Sequence, residues 1–253
     1  MTASALVTGG FIVLPLLVAA GFVGACDWAG RRLGYDAAVR RRRTAWIAIA
    51  VLGWLAVTAL AGASGVLRRF DLTPPPFAFF ILAVVIIGAG VPFSPLGTRL
   101  VRGLPLWALV GSQLFRLPLE LVMHQAQVEG IMPAQMSYSG WNYDIVTGIT
   151  AGALGVWLAR GTPPRWIVMA WNALGFALLV NVVTIAIVST PPFRWFGDAH
   201  VNVFVTYAPF VWLPAVLVTA ALMSHLLVWR RLRHGGSGRL DPPRRASALS
   251  PDA

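Results

Sequence analysis

Lysine is absent from this chain, cysteine occurs once, and nine acidic residues stand against twenty arginines. Each shortage closes off a class of chemistry. Without lysine no retinal Schiff base can form, so the light-driven seven-helix proteins are excluded. A single thiol, Cys26, cannot make an intrachain disulfide or supply a cysteine-based zinc or iron–sulfur centre. Charged side chains make up only 11% of the sequence, against roughly 25% in soluble domains. A phosphate-cradling glycine loop, HExxH and GxSxG are also missing, so the familiar nucleotide and hydrolase signatures do not apply.

What fills the chain instead is apolar. Hydrophobic residues account for 57% of 253 positions, above the 45–50% or so of soluble domains, and the mean hydropathy is positive. Seven runs of roughly membrane-crossing length follow one another: Ser4 to Cys26, Thr44 to Val66, Phe77 to Phe93, Leu104 to Gln127, Tyr143 to Leu158, Trp166 to Val188 and Tyr207 to Trp229. The expected fold class is therefore all-α, a polytopic membrane helix bundle of about seven transmembrane helices. It occupies residues 1–233, and a Gly, Pro and Arg-rich tail at 234–253 reads as disordered and cytoplasmic.

The arginines orient this bundle. Sixteen fall in the first, third and fifth connections and the tail, three (Arg68, Arg69 and Arg194) fall on the opposite side, and Arg116 lies within the fourth run. Basic residues are held on the cytoplasmic side, which puts the N-terminus outside and the C-terminus in the cytoplasm. The net charge of +11 is thus spread over short connections, not gathered into a nucleic-acid-binding patch. The lipid bilayer is the expected partner, and no nucleic acid. Val23-Gly24-Ala25-Cys26 resembles a lipoprotein processing site, but no basic residue precedes Arg31, so the first run reads as a retained span.

The fourth run carries the chemistry. Gln113, Arg116, Glu120, His124 and Gln127 recur at steps of three or four, which on a helix aligns them along one face. A lone Arg or Asp at the centre of a span costs about 2.5 to 3.5 kcal/mol on insertion scales, so these side chains are expected to face other helices or a wet cavity. Pro118 sits among them and frees the carbonyl of Leu114, which predicts a kink at the same place.

Neighbouring segments offer partners. The loop from Glu129 to Asn142 is rich in Met, Tyr and Trp and is expected to lie in the interface or fold back over the bundle mouth. Asn142 or Asp144 is placed to cap the fifth helix. Asn181, about 22 Å into the sixth run, matches Glu120, about 24 Å into the fourth, and is expected to reach it by a hydrogen bond. Asn172 reads as an interhelical contact. His124 and His225 lie near opposite ends of their runs, which argues against a haem clamp, and no cofactor or metal is expected.

Several segments, FRLPLELV, MSYSGWNYDIVTGITA, WNALGFALLVNVVTIAI, STPPFRWF and APFVWLP, resemble a family of bacterial seven-span integral membrane proteins of no known activity, over roughly the C-terminal two thirds of the chain. The resemblance implies residence in the bacterial inner membrane and draws attention to Arg116, Pro118 and Glu120 and to Gly140, Asn142 and Asp144. It implies nothing about reaction type. Ser139 and Trp141 depart from the family's pattern, in which an acidic and a basic residue are more usual.

Three readings stay open. The polar core of Gln113, Arg116, Glu120, His124, Asn142, Asp144 and Asn181 could bind or carry a small molecule or ion, open toward the outside. It could be an intramembrane enzyme site, with Glu120 or His124 as a base or with Glu120, His124, Asp144 and His200 gathering a metal. Or it could be structural, Arg116 and Glu120 neutralising one another within an assembly protein.

Overall fold

A computed structural model describes residues 3–234, and among them the chain is wholly helical, with no strand. The first helices begin where the sequence supplies a cap or a proline. Helix α1 (Ala5–Arg32) starts at Ser4, whose hydroxyl accepts the Val7 N–H. Helix α2 (Ala37–Ser64) starts at Asp36, whose carboxylate accepts from Ala38 and Val39, and it stops at Gly65, in the left-handed conformation glycine tolerates best. Helix α3 (Pro76–Phe93) opens on proline, where the missing N–H costs nothing. A short helix the sequence did not signal, α4 (Pro95–Gly103), is capped by Ser94.

The fourth apolar run does break. It folds as α5 (Leu106–Gly111), a tight 3₁₀ turn over Ser112–Phe115, and α6 (Arg116–Val128). Pro118 cannot donate to the Leu114 carbonyl, and the backbone tightens to three residues per turn at that carbonyl. After the segment 129–144 come α7 (Ile145–Arg160), α8 (Arg165–Val188) and, past a second long connection, α9 (Thr219–His234). A wide π-turn stretch, Leu213–Val218, precedes α9. Wide turns free carbonyls, and here the Ala215 oxygen accepts from Trp54 Nε1 at 2.8 Å and from Thr219 Oγ1 at 2.9 Å.

Six segments are long and apolar enough to cross a membrane: Ala5–Arg32, Ala37–Ser64, Pro76–Phe93, Leu106–Val128, Arg165–Val188 and Leu213–Arg233. The remaining expected span forms α7, at 16 residues a shorter apolar helix. Large apolar side chains cover the outside, among them Trp46, Leu52 and Leu60 on α2 and Phe79 and Ile86 on α3, each more than half exposed. In water such a surface would aggregate; in hydrocarbon it is the favoured exterior. The tail expected from 234 onward lies, apart from His234 at the end of α9, outside the described residues.

The arginines knit one end of the bundle. Arg165 donates to the Leu232 carbonyl at 2.7 Å, Arg231 to that of Val101 at 3.1 Å, and Arg230 to the Pro92 carbonyl and to Thr98 Oγ1. Arg40 pairs with Asp27 at 2.6 Å. These contacts tie α9 to α3, α4 and α8, and α2 to α1, where the basic residues collect. At the opposite end Phe11, Phe204 and Phe210 pack edge to face, with centroids 5.0 to 6.3 Å apart.

Candidate functional site

Close approach of two backbones builds the site. A Cβ on Gly148 of α7 would lie 2.5 Å from the Leu117 nitrogen, so only glycine lets α7 sit this close to the start of α6. One turn before Gly148, Asp144 stands at the N-terminal boundary of α7, but its side chain caps no amide. It faces α6 instead, and Arg116 Nη1 donates to Asp144 Oδ1 at 2.7 Å. Both residues are buried, Arg116 to 1% and Asp144 to 4% exposure. Arg116 Nη1 also lies 3.4 Å from the Gly175 carbonyl of α8, while Nε and Nη2 have no protein partner.

Glu120, one turn along α6 and equally buried, is held by a different group. The amide nitrogen of Asn142 lies 2.9 Å from both of its carboxylate oxygens and 3.0 Å from the Met136 carbonyl. The Asn142 side-chain oxygen accepts the Asp144 N–H at 3.0 Å. Asn142 thus fixes both acids, one through its carboxylate and one through its backbone. The expectation that Arg116 and Glu120 pair directly is corrected: the arginine's salt-bridge partner is Asp144 at the start of α7, and the Glu120 carboxylate is taken by Asn142.

Arg116, Glu120 and Asp144 line a cavity of about 230 Å³ whose remaining walls are almost all apolar side chains from α3, α6, α8 and the Leu213–Leu222 stretch. A cavity of about 150 Å³ already holds a benzene-sized molecule. Its wall toward the loop end includes the buried Met136, Asn202 and Val205. Gln135 ties the two covering loops together, donating to Ser189 Oγ at 2.9 Å and to the His200 carbonyl at 2.7 Å. The loops carrying Met136, Asn202 and Val205 thus form the wall at that end, where the sequence expected an opening toward the outside.

The remaining residues of the expected polar core disperse. Gln113, in the 3₁₀ turn, is buried and donates to the Ala221 carbonyl at 3.0 Å, which locks this turn to α9 away from the cavity. His124 lies under the 129–144 segment, with Nδ1 3.1 Å from Ser137 Oγ and its ring stacked on Tyr138. Gln127 Oε1 accepts from Ser139. The five share one face but spread over about 21 Å of rise, with Gln113 set off in the 3₁₀ turn, and of them only Arg116 and Glu120 line the cavity. The expected Glu120–Asn181 bond is also corrected. Asn181 donates to the Trp141 carbonyl at 2.8 Å, and Asn142, nearer in the fold, takes its place at Glu120. Among the described residues no group of three or more His, Cys, Asp or Glu could hold a metal; Glu120, His124, Asp144 and His200 do not converge, and His200 is exposed on the far loop.

Sequence reasoning missed the second layer. Asn172 does make an interhelical contact, donating to the His225 carbonyl at 3.2 Å, with its side-chain oxygen 2.9 Å from His225 Nδ1. The His225 ring in turn packs on Gly175, where an added Cβ would meet it at 2.7 Å. That brings His225 beside the carbonyl facing Arg116, closer to the charged cluster than its place near the end of the last run suggested. Gly175 itself looks like any small residue in an apolar run, and nothing in its sequence marks it.

The fold and site define an integral-membrane-type helix bundle with a buried charged cluster. Compared with known protein families, with curated proteins and with solved structures, the chain shows no match.

Proposed function

We propose that the protein is a seven-span integral membrane protein of the bacterial inner membrane, with the N-terminus outside, the C-terminus cytoplasmic and α7 as the seventh crossing. Membership of the bacterial seven-span family it resembles is part of the same proposal. Its function is to bind a small molecule at Arg116, with Glu120 and Asp144 beside it and Asn142 holding both acids in place.

One observation carries this reading. Arg116 is buried at a cavity wall and keeps Nε and Nη2 without a protein acceptor. The Arg116–Asp144 bond taken alone suits a structural lock between α6 and α7. A lock, however, gains nothing from unfilled donors, since a buried polar group left unsatisfied costs about 1 to 3 kcal/mol. Two unfilled donor atoms on a residue that lines a cavity suit a site where a small shift of the wall admits an acceptor.

The test is a thermal-shift screen of purified protein against small molecules and ions, repeated on Glu120→Gln and Arg116→Lys. Both variants are expected to fold and insert, and to lose the stabilisation that a ligand gives the parent. The reading fails if every stabilising compound acts equally on parent and variants.

A further inference from the structure

The geometry points to a ligand that enters from the bilayer: an amphiphile with a carboxylate or phosphate head on Arg116 and an apolar body in the cavity. This rests on the ligand-binding reading above and names its substrate class.

The head group follows from which donors are free. Asp144 occupies Nη1, leaving Nε and Nη2. Those two N–H groups lie on one edge of the guanidinium and project in parallel, the fork that matches two oxygens of a carboxylate or phosphate. Glu120 and Asp144 are already engaged, by Asn142 and by Arg116 Nη1. The titratable groups around the fork are Arg116 and Glu120 on α6, Asp144 at the start of α7 and His225 of α9 behind Gly175; α3 and α8 contribute none to the cavity wall.

The apolar body follows from the walls, and the route from where they are open. Helices α3 and α8 both pack on α9 but have little direct contact with each other. Val85 of α3 and Phe176 and Val180 of α8 line the cavity and are 38 to 49% exposed. These side chains give the cavity an apolar, partly exposed edge between α3 and α8, while Met136, Asn202 and Val205 line its loop end, where Gln135 ties the two loops together.

The experiment uses the full chain in phospholipid nanodiscs. Binding of radiolabelled dodecanoate and dodecyl phosphate is compared with dodecanol, which lacks the head, and with acetate and inorganic phosphate, which lack the tail. Saturable binding of at least one headed amphiphile is expected, at least about tenfold weaker in Arg116→Lys, which keeps the charge and loses the fork. Val180→Trp and Val85→Trp, on the lipid-facing surface, are expected to slow entry without unfolding the protein. If acetate or phosphate binds as well as the amphiphiles, and the Trp variants change nothing, the bilayer route is overturned while the Arg116 site stands. If no probe binds above dodecanol, or Arg116→Lys binds as the parent does, the site reading falls too.

Discussion

Replacing Asp144 with Leu would leave the Arg116 guanidinium, 1% exposed, without its salt-bridge partner. Breaking one side of a buried ion pair costs about 3 to 5 kcal/mol, because the surviving charge stays desolvated. Arg116→Leu is expected to cost a similar amount, stranding Asp144. The double variant Arg116→Leu/Asp144→Leu strands neither charge, and apolar replacement of a whole buried pair is often nearly neutral. The three measurements close a cycle with a coupling of at least about 2 kcal/mol. At roughly 2 to 4 °C per kcal/mol for a chain of this size, each single variant should melt about 6 to 20 °C below the parent and the double variant much nearer to it. Thermal unfolding in detergent, followed by circular dichroism and by recovery of monodisperse protein, reads all three. If the single variants each cost less than about 1 kcal/mol and simply add, the pair is solvated and the argument from its burial is refuted.

Two further outcomes test the scaffold. Gly148→Ala forces a methyl to within 2.5 Å of the Leu117 backbone nitrogen, so α7 must move away from α6. The expected loss is about 1 to 3 kcal/mol of stability, measured by the same melting assay, together with weaker Arg116–Asp144 coupling. Glu129, outside the spans, accepts the Ser4 N–H at 2.9 Å, and this bond holds its carboxyl below the ordinary glutamate range. A depressed carboxyl pKa stabilises the folded state above the unfolded value and loses that contribution as pH falls through the folded one. Amides of the first turn of α1 should therefore exchange faster with deuterium below about pH 4, an acid effect that Glu129→Gln abolishes.

Much of the frame was legible because hydrophobic runs report lipid contact directly. The six long helices fall on six of the expected runs, although α1 and α2 extend into the arginine-bearing connection between them and the last span starts at Leu213 where the run started at Tyr207, and Pro118 announced the broken fourth run. The 16-residue α7 and the short α4 were less visible, since length alone separates a crossing from a buried helix. At the site, the step of three and four found Arg116 and Glu120, but spacing along one helix cannot say which neighbour an arginine meets. Asp144 won over Glu120 because Gly148 draws α7 inward, an effect that belongs to packing and leaves no mark on the fourth run. Asn181 was matched to Glu120 by depth, and depth ignores azimuth: Asn181 turned to the Trp141 carbonyl. The cavity was not legible, because its walls come from four segments distant in sequence.

The shortness of α7 bears on where such a protein can reside. Sixteen residues reach about 24 Å, some 6 Å less than an average hydrocarbon slab. The ordered stretch ahead of it, with Met136, Ser137 and Asn142 buried, satisfies its own polar backbone and so tolerates submersion beside the helix start. If α7 crosses as the seventh span proposed above, a bilayer around that flank would dimple toward the short element, and each ångström of mismatch carries a modest elastic penalty. Thin, short-chain membranes are consequently the more comfortable host, and acyl length becomes a lever on stability that acts without touching any side chain.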